Sequence, residues 1–293
     1  RTSMALAGDL KDVIEDQLER NLSPKKLKRY LEFLGPALLV ITYAEDAVRI
    51  VMRWGEQMQY MTMQMRWPKA LGALILLLSL ATQGAGTAAV IARQQVKVAC
   101  YALLTFTALQ PVVYGQLDHP DFMFRTLTQF GGLLLLLRHE NDLARAGKRS
   151  SGKEALSGLT AMGDGAGEVG VAAGARLQLI GRTLLMVIFF FQGARHLYTR
   201  GLTVFSVIGY VALLALCALV VVGFKARWSA VILAVSLGIS NIWLYPFWMM
   251  PERIADFYKY YFYNTLSIMG GLLLLALYGP GGLSVDHGAK KSI

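Results

Sequence analysis

The chain has 293 residues, 55% of them hydrophobic and only 16% charged, with a formal charge of +10 and a mean hydropathy of +0.45. Globular proteins carry roughly 25% charged residues, so a deficit this broad excludes an ordinary water-soluble domain and predicts an all-α polytopic membrane protein.

Residues 1–30 are polar. Asp9, Lys11, Asp12, Glu15, Asp16, Glu19 and Arg20 leave no apolar core for a cleavable signal peptide. Leu10, Val13, Ile14 and Leu18 share one face of a predicted amphipathic helix over 9–30, lying on the membrane surface. A hydrocarbon core about 30 Å thick takes about 20 apolar residues per helix. Eight spans are therefore expected, at 31–54, 69–92, 96–117, 122–138, 176–199, 202–222, 226–249 and 259–279. They divide the chain into a first membrane half (31–138), a glycine-rich linker (139–175), a second half (176–279) and a tail (280–293). Within the linker, Gly165-Ala-Gly167-Glu-Val-Gly170 matches a dinucleotide-binding pattern, but no strand precedes it, and the linker is expected to be flexible.

An even span count puts both termini on one side. Of the 29 Lys and Arg residues, 19 fall in the amino-terminal segment, the loops 2–3, 4–5 and 6–7, and the tail. Nine fall on the opposite side and its span ends, and Arg182 lies inside span five. Positive charge marks the cytosolic face, so both termini are expected there, and the net charge is spent on topology with no nucleic-acid partner implied. The halves also echo each other. Gln129–Leu137 (QFGGLLLLL) recurs as Ile268–Ala276 (IMGGLLLLA), and Ile41–Val51 recurs loosely as Ile188–Tyr198. Spans three and seven each follow a short basic loop, Arg93–Lys97 and Lys225–Arg227. Two four-helix copies of equal orientation make parallel repeats about an axis along the membrane normal.

Two groups could carry chemistry. In span one, Arg49 stands at i+4 from Glu45 and i+3 from Asp46, within helical reach of both. Ionisable groups at membrane depth imply function with a named partner; here one arginine meets two acids, and a structural ion pair is the competing reading. With Tyr43 nearby, a carboxylate left over could accept an ammonium group. In Ser240–Pro251 (SNIWLYPFWMMP), Pro246 should interrupt span seven beside Asn241, Trp243, Tyr245, Phe247 and Trp248. That cluster fits either an aromatic belt or a cavity wall. The four histidines are scattered and Cys100 and Cys217 sit in apolar spans, so no metal, cofactor, disulfide or catalytic residue is predicted and the chain reads as a non-enzyme. At the far end, Lys290 and Lys291 stand four and three residues from the terminus, the placement of a cytosolic dilysine retrieval address.

Taken in order, YAEDAVRI, ACYALLTFTALQ, GGLLLLL, LIGRTLLMV, VVGFKARWSA, NIWLYPFW, SIMGGLLLLALYGPGGLSVD and the terminal KKSI resemble the surfeit locus protein 4 family from about Leu31 onward. Residues 192–196 depart from that pattern. The resemblance implies a receptor that gathers soluble secretory proteins in the lumen of the endoplasmic reticulum (ER), largely through short apolar segments at newly exposed amino termini. Such a receptor loads them into anterograde coated vesicles and returns from the early Golgi through its dilysine tail and the retrograde coat. It implies as partners cargo, coat proteins and membrane lipids. Homo-oligomerisation is left open, and a transporter or lipid-handling protein of the early secretory pathway is the rival reading, since parallel repeats, a kinked helix and buried carboxylates suit it equally. A membrane oxidoreductase is the weaker rival.

Overall fold

The structure, a computed structural model, describes residues 24–150, 165–200, 203–281 and 283–284. The surface helix expected over 9–30 lies mostly outside the described residues, and the two tail lysines lie wholly outside them. Eight long helices follow in order: α1 (Pro24–Met52), α2 (Lys69–Ile91), α3 (Val96–Val113), α4 (Pro120–Ser150), α5 (Gly165–Arg200), α6 (Val204–Val222), α7 (Ala226–Leu244) and α8 (Glu252–Tyr278). No strand occurs among the described residues. Lipid offers no hydrogen bonds to a backbone, so helices that satisfy their own N–H and C=O groups are the outcome this composition demands.

Six of the eight, all but α1 and α4, are long and apolar enough to cross a bilayer by length and composition. Glu45, Asp46 and Arg49 interrupt α1, while Arg125 and Gln129 interrupt α4. Packing explains why these two tolerate polarity. Helix α1 lies along α8 and α2, and α4 along α5, α3 and α8, so both turn much of their surface to protein. Helix α6, the least buried of the six, packs chiefly on α5 and α7 and is apolar nearly throughout.

The predicted repeat is visible in three independent ways. Exchanging α1–α4 with α5–α8 maps the helix pairing onto itself: α1–α8 becomes α5–α4, α2–α3 becomes α6–α7, and α4–α8 is its own image. The short turns match residue for residue, with positive φ at Arg93 and Gln95 in one and at Gly223 and Lys225 in the other. Finally, the glycine pairs of the sequence echo sit at equivalent crossings. A Cβ on Gly131 would strike the backbone of Gly181 and Leu185 in α5, and one on Gly270 would strike Gly35 and Leu38 in α1. Between them, a Cβ on Gly271 would lie 3.4 Å from Gly132 Cα, so α4 and α8 touch on the pseudo-two-fold axis. Close approach of this kind is how small residues hold membrane helices together where no hydrophobic force acts. The crossings also refine the echo by one position: Gly35 answers Gly181 and Leu39 answers Leu185, which sets Asp46 opposite Gln192 and Arg49 opposite Arg195.

Several boundaries differ from expectation. Helix α7 stops at Leu244 rather than 249, because Pro246 has no N–H to continue it, and one 3-10 turn (Phe247–Met249) leads to α8. The 139–175 linker is helical at both ends, α4 running through Ser150 and α5 starting at Gly165. Beyond span four, Arg138 pairs with Asp142, and His139 stacks on Tyr278 with ring centroids 3.5 Å apart. Burial, with Arg93 nearby, lowers the His139 imidazole to about 4, so it adds no charge to the basic side. Arg182, well inside span five, reaches the chain beyond α8: its guanidinium donates to the carbonyls of Pro280 (2.8 Å) and Leu283, and Gln178 donates to that of Gly279 (2.8 Å).

Two related cavities as the candidate functional site

Both cavities open at the helix ends that carry the 53–68 connection and the Tyr245–Pro251 turn. The first, about 610 Å³, is walled by α1, α2, α3, α4, α8 and the 53–68 connection. The second, about 690 Å³, is walled by α4, α5, α6, α7 and α8. The exchange of halves carries one onto the other, and they share Asp121, Phe257 and Tyr261.

Their common wall is organised by Arg125, which is 1% exposed. Its guanidinium donates to Asp121 (3.3 Å), to Asn264 Oδ1 (3.4 Å) and to the Tyr245 hydroxyl (3.3 Å), and lies 4.2 Å from the centre of the Tyr261 ring. Arg125 and Asn264 are repeat equivalents, separated by the same 139 positions as Gly132 and Gly271. A buried charge survives only with partners of this kind, and here they place one arginine on the axis between two sites.

In electrostatics the cavities differ. The first presents Asp46, Glu56, Asp121 and Asp256 with Arg49 and His119, so acids predominate in its lining. Arg49 pairs with Asp46 and lies 5.8 Å from the Tyr260 ring centre, while Arg53 at the rim pairs with Asp256 and with Glu56 (3.2 Å). The second presents Arg125 and Arg195 against the single carboxylate of Asp121, which lies 3.5 Å from Arg195. Where the first half has Asp46 beside its arginine, the second has Gln192. The departure at 192–196 therefore falls on a cavity wall.

The sequence-predicted residues divide between the two. Asp46 and Arg49 line the first cavity; Asn241 and Tyr245 line the second. Glu45 is 8% exposed, outside both linings, and its Oε2 has no hydrogen-bond partner among the described residues. Tyr43 is buried between α1 and α3, its hydroxyl 2.7 Å from that of Thr107. Trp248 is 55% exposed and packs on Phe247 and Phe262, away from both cavities. Asp121, Arg125, Tyr260, Tyr261 and Arg195 were not singled out from sequence as site residues. Arg125, an ionisable residue within an apolar run, carries the signal that flagged Asp46.

The sequence profile of the SURF4 family matches residues 9–292. A surfeit locus protein 4 homolog of Schizosaccharomyces pombe is 34% identical over 280 residues, 95% of this chain and 86% of the relative. One of Drosophila melanogaster is 33% identical over 282 residues, 96% and 95%. The ER-derived vesicles protein ERV29 of Saccharomyces cerevisiae is 29% identical over 269 residues, 92% and 79%. No solved structure matches.

Proposed function

Because this chain belongs to the SURF4 family, we propose that it is a cargo receptor of ER-to-Golgi transport, multi-pass with both termini cytosolic, which binds soluble secretory proteins from the lumen. The yeast relative's name places that protein in ER-derived vesicles. The observation that carries the binding role is the acid-rich first cavity, at the helix ends predicted to be lumenal by the distribution of Lys and Arg. A processed secretory protein begins with an ammonium group followed by its first side chains. Asp46, held by Arg49, accepts the ammonium, and Ile50, Tyr114, Phe122 and Tyr260 receive apolar side chains. A charge-assisted bond of this type is short and strong where water is scarce. Glu45, facing away from the cavity, is a positioning residue.

Cargo pull-down normalised to receptor level tests this. Asp46→Asn should lower capture of cargo with a free amino terminus about tenfold, the worth of one such bond, and acetylating that terminus should have the same effect on the unaltered receptor. Glu45→Gln should matter less. Equal capture of free and acetylated cargo, with Asp46→Asn binding normally, would sink the idea; if the acids serve only as a structural pair, Arg49→Ala should instead reduce folded protein as much as either acid change.

Recycling is the second part of the proposal. Lys290 and Lys291 are the address read by the retrograde coat, and Gln178 and Arg182 hold the chain directly after α8, at Gly279 and Pro280. Changing both lysines to serine should shift the steady-state pool from ER to Golgi with thermal stability unchanged. An undisturbed ER pattern in cells would refute the address.

A further inference from the structure

We propose that the second cavity is a site for a membrane amphiphile with an anionic head, a carboxylate or a phosphate, drawn from the leaflet at whose level it opens. The inference goes beyond the cargo reading and does not depend on it.

Its charge lies at one end. Asp121, Arg125, Arg195 and Tyr245 gather at the helix ends, whereas the deeper part is lined by Phe189, Leu213, Leu233 and Leu237 with the uncharged Ser236 and Thr265. From Leu244 to Leu233 along α7 is about 16 Å at about 1.5 Å per residue, about half of a hydrocarbon core about 30 Å thick. The cavity thus has the depth and the charged-to-uncharged order of a single leaflet, and its volume of about 690 Å³ is in the range of small-molecule sites.

The route in from lipid is also present. In the first half, residues 53–68 wall the cavity beneath α2; in the second, α5 ends at Arg200 and α6 begins at Val204. On α6, Phe205 lines the cavity yet is 90% exposed, and a Cβ on Gly209, another lining residue, would meet nothing within 4 Å. The wall on the side of the least buried helix is therefore thin. At the polar end, the lining holds two guanidiniums and one carboxylate, matched to an anion rather than to the ammonium assigned to the first cavity. Asn241 Oδ1, on a side chain 1% exposed, lacks a hydrogen-bond partner among the described residues and can accept from the P–O–H of a singly protonated phosphate head.

The test uses the full chain in membranes with three photoactivatable probes: a fatty acid, a phosphatidic acid and, as zwitterionic control, a phosphatidylcholine, each with the reactive group on the acyl chain. One or both anionic probes should label peptides containing Leu213 or Leu237, and which one does so identifies the head. Arg195→Gln, at a side chain 60% exposed, should lower that labelling about tenfold at an unchanged thermal midpoint. Gly209→Leu, which fills the open space, should do the same. The proposal is overturned if no probe labels these walls, if phosphatidylcholine labels them equally well, if both variants leave labelling unchanged, or if a peptide with a free amino terminus displaces the anionic probe.

Discussion

Gly131→Val and Gly270→Val are each expected to leave almost no folded protein. A Cβ on Gly131 would lie 2.6 Å from the Gly181 carbonyl oxygen and 2.7 Å from the Leu185 nitrogen, and one on Gly270 would lie 2.7 Å from the Gly35 carbonyl oxygen. These neighbours are helical backbone and cannot swing aside, so α4 must part from α5, or α8 from α1. Extra methyl groups in a packed core typically cost about 1–3 kcal/mol when side chains can adjust. Here a whole helix contact is lost in a bundle without a hydrophobic force to restore it, against a net stability on the order of 5–15 kcal/mol. Gly84→Ala, where a Cβ meets nothing within 4 Å, is the neutral control. Monodispersity and thermal midpoint in detergent report the result; a Gly270→Val protein melting like the parent would disprove the close crossing.

Arg125→Met should be the next most damaging change. It leaves Asn264 Oδ1 and the Tyr245 hydroxyl without their donor and Asp121 without one of its two arginines. Breaking a buried pair by removing one member costs about 3–5 kcal/mol. Arg125→Lys should recover only part, since a point charge cannot serve three acceptors spread around a planar fork. Denaturation midpoints of the three proteins decide it, and a Met variant as stable as the parent would show that Arg125 does not organise the shared wall.

Much of the scaffold was legible because lipid imposes a length and a composition on whatever crosses it. Helix positions followed from apolar runs, and the echo of Gly131-Gly132 in Gly270-Gly271 announced the repeat. What resisted reading was azimuth. Neighbours on a helix point about 100° apart, so Glu45 and Asp46 are equivalent as letters although only Asp46 lines a cavity. Tyr43, close in sequence, turns instead to Thr107 on α3, a pairing that periodicity does not encode. Arg125 was visible only as a charge at the start of span four, yet its importance comes from Asn264 and Tyr245, 139 and 120 residues away in sequence.

The polarity of α1 also bears on how the protein is made. Asp46 lies near the middle of the span predicted for α1, where an acid adds about 2.5–3.5 kcal/mol to insertion, so α1 does not partition into lipid well by itself. The partner against which α1 packs most extensively is α8, the last of the eight described helices in chain order. Helix α1 would then wait at the translocon or at the bilayer surface until α8 has been made. The bundle would close late, with α1 among the last of the eight helices to reach its final depth.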